Sequence, residues 1–197
     1  DIYQFINQFG CTFVTTNYDK LIVPEGNARP ENEWRFYQRE ELSRVKLDVE
    51  KTVIHLHGCV DDPKSMIVTT KDYLEHYSSK EVPAFLEHLF SNKTVLFLGY
   101  GLEETEILEY VLKSSDQSWK QQTRLFILQG FFNAEHPLFE KLAKYYDSSF
   151  NAKLIGFPRD HKDYAQQSII IEKWVSELDF QSMALADELA ALDEELS

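Results

Sequence analysis

The chain has 197 residues, 43% of them apolar and 14% aromatic, which suits one good-sized globular domain and argues against intrinsic disorder. Its formal net charge of -13 repels phosphate backbones, so direct nucleic-acid binding by this segment is not expected. The longest purely apolar runs, such as "VLFL" at 95 to 98, fall far short of the roughly 20 residues a spanning helix needs, so no membrane span is expected.

The opening "DIYQFINQ" lacks the basic n-region of a signal peptide, and the chain begins without Met, as a segment of something longer would. Its two cysteines, Cys11 and Cys59, make neither a disulfide framework nor a zinc motif, which points to a reducing, cytoplasmic setting.

In chain order, Ile2, Phe5, Ile6 and Phe9 recur at helical spacing, and Gly10 stops that helix. "CTFVTT" reads as a short strand, and "PEGNARPENEW" at 24 to 34 as a loop. "RFYQREELSRVKLDVE" fits a helix or a hairpin equally well. "TVIHLHG" is a strand ending in glycine, "DDPKS" a turn, and "MIVTT" a short apolar run. Thr70 is placed as the N-cap of "KDYLEHYS". "VPAFLEHLFSN" predicts a helix and "KTVLFLGYG" a strand; "LEETEILEYVLK" is a helix with acids in its first turn, where the macrodipole favours them. "RLFILQG" is a strand, "HPLFEKLAKYY" a helix opened by Pro137, and "AKLIGFP" a strand. Residues 161 to 178 form a last helix of the domain, with Tyr164, Ile170, Ile171, Trp174 and Leu178 on or near one face. Residues 179 to 197 are a separate acidic helix, either a linker to a further domain or a surface for a neighbour.

The strands are near-continuous apolar runs, and the second half alternates strand with helix. That pattern belongs to an α/β fold: a Rossmann-like, mostly parallel sheet with helices on both faces. Ligands of such sheets lie outside the carboxyl ends of the strands. Three of those ends carry more than a turn needs: "TTNYD" at 15 to 19, "HLHG" at 55 to 58, and "GYG" at 99 to 101. Asn17 and Asp19 are two apart and point the same way on an extended backbone. An imidazole such as His57 beside an amide and a carboxylate suits acid–base work on a sugar hydroxyl or a water. Gly99 and Gly101 admit a ligand close to the backbone.

These three motifs, in this order and spacing, resemble the sirtuin-like family, and within it the divergent bacterial domains of antiphage-defence proteins. The resemblance covers roughly residues 10 to 175. It implies binding of NAD as substrate and cleavage of its nicotinamide–ribose bond, with no metal. It also implies that His57 acts as general base on the ribose, while Asn17 and Asp19 organise the nicotinamide side and the attacking water. Thr15, Thr16, Gly58, Gly99, Tyr100, Gly101 and Leu102 would line the cofactor site. The defence-type relatives mostly hydrolyse NAD to ADP-ribose and nicotinamide as toxic effectors, under control of an oligomer or a partner domain. Deacylase members carry a four-cysteine zinc module shortly after the His-Gly pair, where this chain has Cys59 alone. Members also open on a Gly-rich phosphate loop; none precedes residue 10, so residues 1 to 178 are expected to be an N-terminally incomplete NAD-binding domain.

Other readings stand beside this one. Asn17 and Asp19 are also residues that cap or turn a chain. His55, His57 and Cys59 alternate, and could offer two nitrogens and a sulfur to a metal on one strand face. The missing Gly-rich loop favours a catalytically silent dinucleotide-binding or scaffold domain. Protein deacylation is the weakest alternative.

Overall fold

A computed structural model describes residues 1–99, 110–111 and 124–178. The elements are α1 (Ile2–Ile6), β1 (Phe13–Thr15), α2 (Glu31–Trp34), β2 (Arg35–Phe36), β3 (Val53–His55), α3 (Thr70–Tyr77), α4 (Glu81–Asn92), β4 (Val95–Leu98), β5 (Leu125–Phe131), α5 (His136–Phe150), β6 (Ala152–Pro158) and α6 (165–178). The strands form two three-stranded sheets, ordered β1-β3-β2 and β4-β5-β6, and every pairing is parallel.

Side-chain alternation joins the two sheets into one layered body. Val14 of β1, Ile54 of β3, Val95 and Phe97 of β4, Leu125 and Ile127 of β5, and Ala152 and Leu154 of β6 all face one core. That core is covered by Val82, Phe85, Leu86, Leu89 and Phe90 of α4 and by Val111. Residues of the opposite parity face the other side. Leu98, Leu128, Ile155 and Phe157 pack against Ile171 and Val175 of α6, while Phe13 and Val53 pack with Trp34. Ile6 and Phe9, in and just after α1, belong to both of these clusters. Helices therefore cover both faces, as the apolar strands required.

The ends of the helices follow local chemistry. Asp1 accepts from the Tyr3 N–H at the start of α1. The cap of α3 is Thr69, not Thr70: its hydroxyl accepts from the Asp72 N–H, and the Asp72 carboxylate accepts from the Thr69 N–H. A carboxylate three residues on closes that box for Thr69 only. Asn151 ends α5 in the left-handed region, φ 49°, where asparagine is tolerated.

Three further expectations change. The loop at 24 to 34 ends in a helical turn, α2, which buries Trp34. The stretch from 35 to 50 is neither helix nor hairpin. It is a two-residue strand parallel to β3, then 3-10 turns at Arg39–Glu41 and Arg44–Asp48. α6 begins at residue 165, so Tyr164 precedes it; Tyr164 and Leu178 are exposed, and Ile171 and Val175 are the buried face. The acidic segment 179 to 197 and most of the helix expected after residue 101 lie outside the described residues.

Among the described residues Phe85 is the largest fully buried side chain, and it faces the core shared by both sheets. Phe85→Ala is expected to lower unfolding stability by about 3–5 kcal/mol in urea titrations. Leu138→Ala, on the exposed face of α5, is expected to change it by less than about 0.5 kcal/mol. Equal losses at the two positions would contradict this core.

Candidate functional site

β1 and β3 are adjacent parallel strands with Thr15 opposite His55. The Leu56 N–H donates to the Thr15 carbonyl at 2.8 Å, so the pairing persists to the strand ends. Asn17 and His57 each follow that matched pair by two residues. Both therefore lie in the segments that leave the carboxyl ends of adjacent strands, where parallel α/β folds bind ligands, with Asn17 exposed and His57 buried.

The segment from Thr16 to Val23 is held at nearly every residue. The Asn17 N–H donates to Thr15 Oγ1 at 3.1 Å. The Tyr18 carbonyl accepts from the Val60 N–H at 2.9 Å. Asp19 Oδ1 accepts from the Leu21 N–H at 3.0 Å. Lys20 Nζ bridges Glu31 at 2.9 Å and Asp61 at 2.6 Å. Asn7, the C-cap of α1, donates to the Leu21 carbonyl and accepts from the Val23 N–H. These anchors replace the glycine or proline that a free turn would need.

Two further anchors are buried. Arg35 is 3% exposed and His55 1%. Arg35 Nη1 lies 2.7 Å from His55 Nε2, and His55 Nδ1 lies 2.9 Å from the Asn17 carbonyl. A guanidinium only donates. His55 Nε2 therefore accepts, and Nδ1 carries the hydrogen that Asn17 receives. Arg35 Nη2 also donates to the Ile22 carbonyl at 2.7 Å, and Nε pairs with Glu31 at 2.7 Å. Burial holds the His55 pKa below the usual imidazole value; the Asn17 carbonyl opposes this, and the nearby Arg35 cation reinforces it.

His57 is buried at the start of the next turn. Its Nε2 is 2.9 Å from Tyr77 Oη. Tyr73, His76 and Tyr77 of α3 surround the ring, with centroids 5.6, 6.0 and 6.0 Å away. Gly58 turns the chain just behind it at φ +87°, and a Cβ there would stand 2.2 Å from the Ser65 carbonyl oxygen. The Ile67 N–H returns to the His57 carbonyl at 2.9 Å. The close approach at Gly58 is thus to the protein's own backbone, which fixes where His57 points. His76 is 2% exposed, and neither ring nitrogen meets hydrogen-bond geometry with a partner. Burial, then His57 and Arg39, push its pKa down to about 4, against a weak opposing pull from the Leu56 backbone.

Thr15 ends β1 and is followed by Thr16, Asn17 and Asp19, while His57 and Gly58 follow β3, the strand paired with β1. The Thr15 hydroxyl and the Asp19 carboxylate serve the local turn, as the capping reading expected. Gly99 follows β4 in the other sheet; it is exposed at φ +64°, and no atom of the described residues lies within 4 Å of where a Cβ would stand. Tyr100, Gly101 and Leu102 lie outside the described residues. The metal reading of His55, His57 and Cys59 fails on geometry, since both nitrogens of His55 are committed, one of them to a permanent cation. Sequence reasoning missed Arg35, Tyr73, His76 and Tyr77. The i, i+3, i+4 spacing of "YLEHY" was a signal that those three share a helix face. Arg35 had no local signal.

Two outcomes test this geometry. Gly58→Ala is expected to lose at least about 2 kcal/mol of stability, from positive φ and the backbone clash together; an unchanged thermal midpoint would remove the turn's role. His76 is neutral when folded and gains a proton when unfolded. Its contribution is therefore present above pH 6.5 and is lost as pH falls toward about 4, at roughly 1.4 kcal/mol per pH unit. His76→Phe should flatten that part of the stability–pH curve, measured by urea unfolding across the range; an identical slope in the variant would contradict a buried neutral imidazole.

Residues 11–150 match the model of the SIR2-like domain family. The chain is 34% identical over 136 residues to an NAD(+) hydrolase ThsA of Enterococcus faecium, covering 63% of this chain and 28% of the relative. It is 31% identical over 117 residues to an NAD(+) hydrolase ThsA of Bacillus cereus (57% and 24%) and 30% identical over 115 residues to one of Acinetobacter baumannii (57% and 23%). The chain thus spans about a quarter of the length of these curated relatives. The family match covers most of the parallel α/β body and the strand ends bearing Asn17 and His57, and on that match the chain belongs to the SIR2-like domain family.

Proposed function

We propose that this chain is an NAD-hydrolysing domain that converts NAD+ and water to ADP-ribose, nicotinamide and a proton. One observation carries this reading: β1 and β3 are adjacent parallel strands, and Asn17 and His57 leave their carboxyl ends two residues past the matched Thr15–His55 pair. Support for the reaction comes from relatives named NAD(+) hydrolases.

In this reading the nicotinamide ribose lies over the ends of β1 and β3. His57 accepts a hydrogen bond, and in the transition state a proton, from a ribose hydroxyl, and returns that proton as ADP-ribose forms. The Tyr77 hydroxyl holds the ring at Nε2 and fixes its plane. The C1′–N bond breaks with its electron pair going to the pyridinium nitrogen, so nicotinamide leaves neutral. Water oxygen bonds to C1′, and its proton is released. Asn17 and Asp19 orient the carboxamide side and that water. Thr15, Thr16, Gly58 and Gly99, with Tyr100, Gly101 and Leu102, complete the NAD site. The same resemblance supports a toxic effector role in bacterial antiphage defence, held in check by assembly or by a partner domain, and the chain's two unpaired cysteines favour a reducing, cytoplasmic setting. No helix among the described residues is long and apolar enough to cross a membrane.

Incubation with NAD, followed by chromatography for nicotinamide and ADP-ribose, tests the reaction. His57→Ala is expected to lower turnover by about 10²–10⁴-fold while a titration still shows NAD bound. Equal loss of NAD in both proteins would remove His57 from the mechanism. NAD binding without turnover in either would favour a silent dinucleotide-binding module.

A further inference from the structure

We propose that Arg35 and His55 are positioning residues for NAD cleavage: the Arg35 guanidinium and the His55 imidazole together lock the backbone that carries Asn17. The inference rests on the reading that Asn17 works in the site.

The geometry is specific. One buried cation reaches both ends of the Asn17 segment. It holds the Ile22 carbonyl directly at 2.7 Å, and the Asn17 carbonyl through His55, in steps of 2.7 and 2.9 Å. Register explains why these residues meet. Arg35 is level with Val53 across the β2–β3 pair, so Arg35 and His55 occupy the same face, one alternation apart. Phe13 and Thr15 stand level with Val53 and His55 across β1, so the chain emerging from β1 passes over the same face.

Chemistry fixes direction as well as distance. Arg35 has no acceptor, so it selects the His55 tautomer that presents an N–H to Asn17. Among the hydrogen bonds of the two residues, the one to the Asn17 carbonyl reaches the residue proposed to meet substrate. Fixing the Asn17 carbonyl sets the peptide plane, and with it the direction of the Asn17 side chain. The side chain itself is exposed and free to meet a ligand. The Glu31 carboxylate partners Arg35 and also holds Lys20, which sits between Asn17 and Ile22. Without these contacts the loop would sample many side-chain directions. Misplacement by about 1 Å costs on the order of 10²-fold in rate.

A double-mutant cycle on NAD turnover tests this, with the pairs His55→Leu and Asn17→Ala. His55→Leu alone is expected to lower kcat about 10- to 100-fold while KM changes less. In the Asn17→Ala background the same change should cost under about threefold, because the group it positions is gone. His55→Asn, which can still offer an N–H near the Nδ1 position, should recover part of the loss. Backbone hydrogen exchange over residues 16–22 gives a readout besides activity: faster in His55→Leu and Arg35→Met, restored toward wild type in His55→Asn. Independent, additive losses in the cycle would overturn the proposal and leave Asn17 in the site. Full activity in Asn17→Ala would sink the underlying reading and the proposal with it. Unchanged exchange in folded His55→Leu, checked by circular dichroism, would also overturn it.

Discussion

A guanidinium buried to 3% exposure is the constraint on which the site end of this domain depends. Removing such a cation from water costs several kcal/mol unless its hydrogen bonds are met. Arg35 meets them with one carboxylate, one imidazole nitrogen and one backbone carbonyl. Each partner comes from a different segment: the α2 turn, β3, and the loop after β1. None can move without leaving one of the guanidinium's hydrogen bonds unmet. The short elements around it are thus tied together by electrostatics rather than by length. α2 has 4 residues and β2 only 2, too few to be stable by themselves.

The rest of the fold supplies the frame for that pairing. Both sheets turn alternate residues into a core covered by α4, and the opposite residues into clusters covered by α1, Trp34 and α6. This double burial makes the strand directions rigid. The carboxyl ends of β1 and β3 are then a fixed edge from which Asn17 and His57 project. Around His57 stand the rings of Tyr73, His76 and Tyr77.

Several pieces of this arrangement were legible in the sequence. The apolar strands, the helices at 81–92 and 136–150, and the parallel character of the sheet follow from periodicity and alternation. "TTNYD" and "HLHG" were legible as unusual strand ends because their polar content exceeds what a turn requires. The one-residue shift of the α3 cap reflects a side-chain bond between Thr69 and Asp72 that two adjacent threonines make ambiguous. The stretch after Arg35 was not legible, since a two-residue strand and two 3-10 turns have no period to detect. Arg35 was hidden for the same reason. A lone arginine in a polar stretch looks solvated until β2 pairs with β3 and carries it inside.

The sequence by itself determined the class of fold, the apolar faces and the identity of the polar groups at the strand ends. Those depend on neighbours along the chain: spacing, side-chain size and local capping. The tertiary structure alone decided which strand ends are adjacent, which histidine is locked and which is ringed by aromatics. His55 and His57 are two residues apart and look interchangeable in sequence. They differ only because β2 delivers a cation to one and α3 delivers tyrosines to the other. Register and packing across residues distant in the chain create that difference, and no local pattern encodes it.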